Sequence, residues 1–224
     1  MIQHIIFDCD GVLIDSEILS FAVDEKLLPD YGVKITASEL ARDFGGVTYG
    51  EMIAALNTRF SADIDAVSYQ ERCEAELART FETHLRAIAG IPDLLTKLSV
   101  PIALASGSDL ARLDKCLRLT SLEGFFEDRV FSAEQVARGK PAPDVFLLAA
   151  SSCGWMPGHC LVIEDSPSGI VAAKAAGMQS VGFLGGAHRS DADADILRDA
   201  GAGYVAGNSA DLHSYLQGLC LISA

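Results

Sequence analysis

The chain has 224 residues, half of them hydrophobic. That is enough for one sizeable domain, with or without a small insertion, and it excludes intrinsic disorder. Acids outnumber bases 31 to 17, for a formal charge of −14. No basic face is available for nucleic acid or for an anionic membrane, so any phosphate must be held locally by a metal, a lysine or backbone amides. No apolar run approaches the ~18 residues of a membrane span, and Asp8 interrupts the first apolar stretch at once. With no basic leader and no long apolar leader core, a cytoplasmic protein is expected. Nothing marks an obligate protein partner. The six cysteines, at 9, 73, 116, 153, 160 and 220, contain no C-x-x-C pair and read as reduced, mostly buried thiols.

The first strand candidate is Ile2–Phe7, followed by Asp8-Cys9-Asp10-Gly11. Side chains alternate along extended backbone, so Asp8 and Asp10 point to one side and Cys9 turns away as a packed thiol. Two anions together cost free energy unless a cation or a shared proton offsets them. Taken alone, the D-x-D-G pattern is equally a turn of ordinary residues.

From about Ser16 to Arg86 only helical periodicity is found. Ile18, Phe21 and Leu28 share one face; Met52, Ile53, Leu56 and Phe60 form a second; Cys73, Leu77, Phe81 and Leu85 form a third. We assign residues 16–87 to an inserted helical cap, and residues 1–15 and 88–224 to an α/β catalytic core. An insertion there leaves from the carboxyl end of the first strand, the edge at which open α/β sheets bind ligands.

Beyond the insertion, Pro92 opens a helix whose inner face carries Leu94, Leu95 and Leu98. The next strand, Ile102–Ala105, runs into Ser106-Gly107-Ser108. A small hydroxyl, a glycine and a helix start make a phosphate cradle, although such residues are also an ordinary loop. Ser108 is the expected cap of a helix carrying Leu110, Leu113 and Leu117. Lys140, between Gly139 and Pro141, is presented on stiff backbone before a helix opened by Pro143. A solvated lysine is the plain alternative.

Strand Leu161–Ile163 ends in Glu164-Asp165, and Ser166-Pro167 caps and opens a helix that stops at Gly177. Strands Ser180–Leu184 and Gly203–Val205 follow. His188, in a loop after Gly185-Gly186, reads as a surface residue. Asp191, Asp193 and Asp195 lack the glycine and the twelfth-position glutamate of a calcium loop, and read as a helix start capped by Ser190. The strand–helix alternation predicts an α/β fold: a doubly wound, mostly parallel, Rossmann-like sheet with an inserted α-helical cap.

Taken together, FDCDGVLIDSE, SGS, GKPAPD and IEDSPSG resemble the four motifs of the haloacid dehalogenase superfamily, in order and over essentially the whole chain. They look most like the subgroup that holds β-phosphoglucomutase and small sugar-phosphate phosphatases. The resemblance implies that Asp8 is the nucleophile, forming an aspartyl-phosphate, and that Asp10 is the general acid/base. It implies that Ser106, Gly107 and Ser108 hold phosphoryl oxygens and that Lys140 neutralises Asp8 and the transferring group. Mg²⁺ would sit on the Asp8 side chain, the Asp10 backbone carbonyl and Asp165, with Glu164 as ligand or support. The cap loop Gly45, Gly46, Val47, Thr48 and Tyr49 would face the substrate. Mutases carry an arginine where this chain has Tyr49 and a histidine where it has Ser20. The expectation is therefore a Mg²⁺-dependent phosphatase of small phosphorylated metabolites, sugar or sugar-acid phosphates. A phosphosugar mutase is the alternative within enzymes, and a phospho-accepting signalling domain is the alternative outside them.

Overall fold

In the computed structural model, which describes residues 1–45 and 47–223, the first apolar run forms strand β1 (His4–Phe7). The chain then divides into two units, Met1–Asp15 with Arg86–Ala224, and Ser16–Leu85.

The second unit is helical: α1 (Glu17–Leu27), a 3₁₀ turn (Leu28–Tyr31), α2 (Ala37–Phe44), α3 (Tyr49–Phe60) and α4 (Ala66–His84). Local chemistry sets the starts. Thr36 with Glu39, and Thr48 with Glu51, form reciprocal capping boxes, and Asp65 accepts from the Ser68 N–H. Phe21, Leu40, Met52, Leu56, Tyr69, Cys73, Leu77 and Phe81 are buried. Ile18, grouped with Phe21 from its spacing, is instead exposed at 39%, because a single turn of periodicity does not fix which flank of a helix meets its neighbours.

The first unit continues with α5 (Ile91–Lys97), β2 (Ile102–Ser106), α6 (Leu110–Thr120), α7 (Glu123–Phe126), β3 (Val130–Ser132), α8 (Asp144–Ser152), β4 (Cys160–Glu164), α9 (Pro167–Ala175), β5 (Gln179–Phe183), α10 (Ala194–Ala200), β6 (Tyr204–Ala206) and α11 (Ser209–Gly218). The strands form one parallel sheet in the order β3-β2-β1-β4-β5-β6. The sheet is therefore doubly wound as predicted, with its order reversing between β1 and β4. β2 and β4 are buried along their whole length, which is why they read as continuous apolar runs.

Strand β3 was not foreseen: it has three residues, and its first, Val130, is only half-buried. The cap of α6 is Asp109, whose carboxylate accepts from the Arg112 N–H, and not Ser108. Ser166 caps α9 with Pro167 at its first position, and Gly177 follows at φ 73°.

Residues 86–88 run beside 13–15 within the first unit. The Asp15 N–H donates to the Arg86 carbonyl at 3.0 Å, the Ile88 N–H donates to the Leu13 carbonyl at 2.9 Å, and Ile14 and Ala87 form an antiparallel bridge. Among the described residues, no helix is long and apolar enough to cross a membrane.

Candidate active site

The ends of β1, β2 and β4 meet at the carboxyl edge of the sheet, where its order reverses. Phe7 pairs with Leu104 on one side and Ile163 on the other, and the Asp8 N–H donates to the Ile163 carbonyl at 2.9 Å. The Asp8 carboxylate, the first side chain past β1, is therefore set beside Glu164 and Asp165, the residues that end and follow β4. All three are buried, and each offers an oxygen within 4.8 Å of the others.

Lys140 reaches into this cluster. Its Nζ lies 2.5 Å from Asp8 Oδ1, 2.6 Å from Glu164 Oε1 and 3.1 Å from the Ala105 carbonyl, over the ring of Phe146. The lysine is not a solvated one: its side chain is 9% exposed. Burial works to discharge it, but the carboxylates of Asp8 and Glu164 outweigh burial and hold its pKa above the ordinary lysine value. Burial likewise pushes the Asp8 carboxyl well above the usual range, with Lys140 pulling against it.

Glu164 is fully engaged. Its Oε2 accepts from the Ser166 N–H and Oγ, both at 2.9 Å. Its carboxylate lies over the first turn of α9, where a Cβ on Gly169 would stand 1.8 Å from Oε1. That helix start consequently requires glycine.

Asp165 is held from the loop after β5. Its Oδ2 accepts from His188 Nε2 at 3.0 Å and from Arg189 Nε and Nη2 at 3.3 and 3.2 Å. The His188 side chain is 3% exposed, which corrects its reading as a surface residue. The loop is tied back by the Ala187 N–H, which donates to Asp15 Oδ1 at 3.0 Å, and the Arg189 N–H closes a turn on the Gly186 carbonyl. Gly11, at φ +75°, makes room: a Cβ there would lie 2.3 Å from Asp165 Oδ2.

The Asp10 side chain lies outside the buried acidic cluster. Its Oδ2 accepts from Ser108 Oγ and its Oδ1 from Arg112 Nη2, both at 2.8 Å. The Ser108 hydroxyl, expected on phosphate, is thus donated to Asp10, and the Ser108 N–H donates to Ser106 Oγ at 3.1 Å. Ser106 is buried and Gly107 exposed. Arg112 and Arg189 were not singled out from sequence. Arg112 sits on the polar side of α6, opposite the leucines, and only its place in the first turn, at the sheet edge, reveals it.

In the helical unit, Val47, Thr48 and Tyr49 line a cavity of about 320 Å³ with Glu17, Ser20, Phe21, Asp24, Phe44 and Met52. Thr48 caps α3, and Gly45 closes α2 by donating to the Ala41 carbonyl. Gly46 lies outside the described residues. Asp24, buried beneath the cavity, accepts from the Tyr69 hydroxyl at 2.9 Å and from Cys73 Sγ at 3.3 Å.

Residues 5–183 match the family described as haloacid dehalogenase-like hydrolase. The chain belongs to this family. It is 32% identical over 203 residues to a phosphorylated carbohydrates phosphatase of Thermotoga maritima, covering 89% of this chain and 92% of that one. It is 26% identical over 187 residues to a 6-phosphogluconate phosphatase of Escherichia coli, covering 84% and 85%. A haloacid dehalogenase-like protein of unknown function from Agrobacterium tumefaciens superimposes with a TM-score of 0.92 at 35% identity, over 98% of this chain and all of the other. As a haloacid dehalogenase-like hydrolase, the chain is an enzyme whose carboxyl-edge cluster has the donor chemistry of a metal centre. Three buried carboxylates present only oxygen, the ligand set of a hard divalent cation. Their mutual repulsion and the burial of Asp8 are what such a cation relieves.

Proposed function

We propose that this phosphoric monoester hydrolase removes phosphate from small phosphorylated carbohydrates, sugar or sugar-acid phosphates, by way of an aspartyl-phosphate on Asp8. The observation that carries the reading is Lys140 bridging Asp8 and Glu164 at the edge of the sheet. It holds a carboxylate nucleophile beside a fixed positive charge in a buried site. The similarity to two sugar-phosphate phosphatases supports the carbohydrate class.

Asp8 attacks phosphorus in line with the leaving oxygen. A bond forms between an Asp8 oxygen and phosphorus as the bond to the leaving oxygen breaks, and Asp10 gives that oxygen its proton. Asp10 then takes a proton from a water that attacks the same phosphorus, releasing phosphate and restoring Asp8. Lys140 offsets charge on the phosphoryl group, while Glu164 holds Lys140. The Ser106 hydroxyl, which accepts from the Ser108 N–H, keeps its own hydrogen for a phosphoryl oxygen, and the Gly107 N–H adds a second donor. Asp8 and Asp165, with the Asp10 backbone carbonyl, would hold Mg²⁺, which supplies charge neutralisation at the phosphoryl oxygens. Tyr49, Thr48, Val47 and Gly45 of the helical unit are the proposed substrate-selecting residues.

The test is a panel of phosphorylated metabolites assayed with Mg²⁺ for phosphate release, together with β-glucose 1-phosphate plus a catalytic amount of the bisphosphate. Release of phosphate from one or more sugar or sugar-acid phosphates is expected. Efficient formation of glucose 6-phosphate with little free phosphate would replace this reading with a mutase.

A further inference from the structure

The two oxygens of Asp165 have different surroundings. Oδ2 takes three donors, from His188 Nε2 and from Nε and Nη2 along one edge of the Arg189 guanidinium. Oδ1 has no protein hydrogen-bond partner among the described residues. The clamp is built in: the side chains of His188 and Arg189 are 3% and 9% exposed. Space for the imidazole is kept by two glycines. A Cβ on Gly11 would come within 3.0 Å of His188 Cε1, and one on Gly186 within 2.9 Å of both Cε1 and Nδ1.

We infer that His188 and Arg189 restrict Asp165 to a one-oxygen ligand and so set the preference of this centre for Mg²⁺ over Ca²⁺. Mg²⁺ takes single oxygens in a tight octahedron, whereas Ca²⁺ accepts more ligands at longer distances and welcomes both oxygens of one carboxylate. With Oδ2 committed to three donors, the two-oxygen mode is closed, which costs Ca²⁺ more than Mg²⁺. The two residues are positioning residues, acting on the cation through Asp165 as outer partners of metal ligands do. The inference rests on the proposed cation site.

The test titrates Mg²⁺ and Ca²⁺ calorimetrically into the metal-free full-length protein and compares the affinity ratio. The proteins are wild type, His188→Ala, Arg189→Gln, the double variant and Arg189→Lys, each checked for an unchanged unfolding temperature. Losing the positive charge of Arg189 moves both affinities alike and cancels in the ratio. The double variant should shift the ratio towards Ca²⁺ by roughly tenfold, the size of other outer-partner effects, and the single variants by less. Arg189→Lys, which retains a charged donor, should return the ratio towards wild type. If the double variant does not fold, the single variants decide. Parallel changes for the two ions would overturn the inference while leaving the proposed hydrolysis standing. Absence of any divalent binding by the wild type would overturn both this inference and the metal reading.

Discussion

Arg112 Nη2 lies 2.8 Å from Asp10 Oδ1, so the carboxylate proposed to shuttle the proton is anchored by a guanidinium in the first turn of α6. With Ser108 on its other oxygen, Asp10 has both oxygens fixed by the start of α6. Arg112→Ala should leave the fold intact and lower kcat by about tenfold or more, up to the ~10²–10⁴ that a positioned acid/base contributes. Steady-state kinetics with a sugar phosphate checks this, and an unchanged kcat would free Asp10 from that anchor.

Asp8→Asn preserves size but removes the attacking anion. Turnover should fall by about 10³-fold or more, as for other lost nucleophiles, with the circular dichroism spectrum and unfolding temperature close to wild type. Retention of more than a few per cent of the activity would sink Asp8 as the nucleophile.

Chelation should abolish phosphate release, and Mg²⁺ should restore it. Asp165→Ala, which removes a proposed ligand outright, should raise the Mg²⁺ concentration needed for half-maximal activity by more than the roughly 10- to 100-fold that loss of an outer partner costs. Full activity in excess chelator would remove the cation from the mechanism.

Gly169→Ala places a methyl group where the Glu164 carboxylate now lies. Glu164 must move off α9, giving up its bonds to Ser166 and Lys140. Destabilisation of about 1–3 kcal/mol is expected, the usual cost of overpacking, together with reduced turnover. Equilibrium unfolding in denaturant measures the first effect and kcat the second.

Asp24 gives the helical unit a pH dependence. Burial raises its carboxyl to about 6 from an ordinary 3.8, against the hydrogen bonds from Tyr69 and Cys73. Tyr49 and, further along α1, Glu17 are the other titratable groups around this cluster. Between the two pH values the folded unit holds a proton that the unfolded chain has released. Its stability therefore falls as pH rises from about 4 to 6. Asp24→Asn keeps an acceptor for Tyr69 and removes this contribution to the slope. At pH 7 it should stabilise the unit by about 1–3 kcal/mol. Denaturant unfolding of both proteins at pH 4, 5, 6 and 7 checks this; identical slopes would refute it.

The parts of the fold that were legible in sequence are those whose signal is local. Buried strands such as β4 announce themselves as apolar runs, and Ser166-Pro167 and Gly177 punctuate α9 with their own chemistry. β3 was not legible, because its three residues become a strand only by pairing with β2. The site divides in the same way. Asp8, Ser106, Lys140, Glu164 and Asp165 stand at strand ends or before a helix, where spacing marks them. Arg112 and the His188–Arg189 pair reach the carboxylates through long side chains and a folded-back loop. His188 has no periodic context, and its burial follows from tertiary hydrogen bonds that no nearby residue encodes.

The hydrogen-bonded seam between residues 13–15 and 86–88 has an evolutionary consequence. The two ends left by excising residues 16–85 already run antiparallel and in register, as the arms of a hairpin do, and a turn as short as two residues could rejoin them. Loop-closure entropy grows only slowly with length, so exchanging that segment for one of another size changes the closure cost by little. The sheet and its carboxyl-edge carboxylates can thus persist while the helical segment is exchanged at a single splice point, and laboratory chimaeras should be cut there.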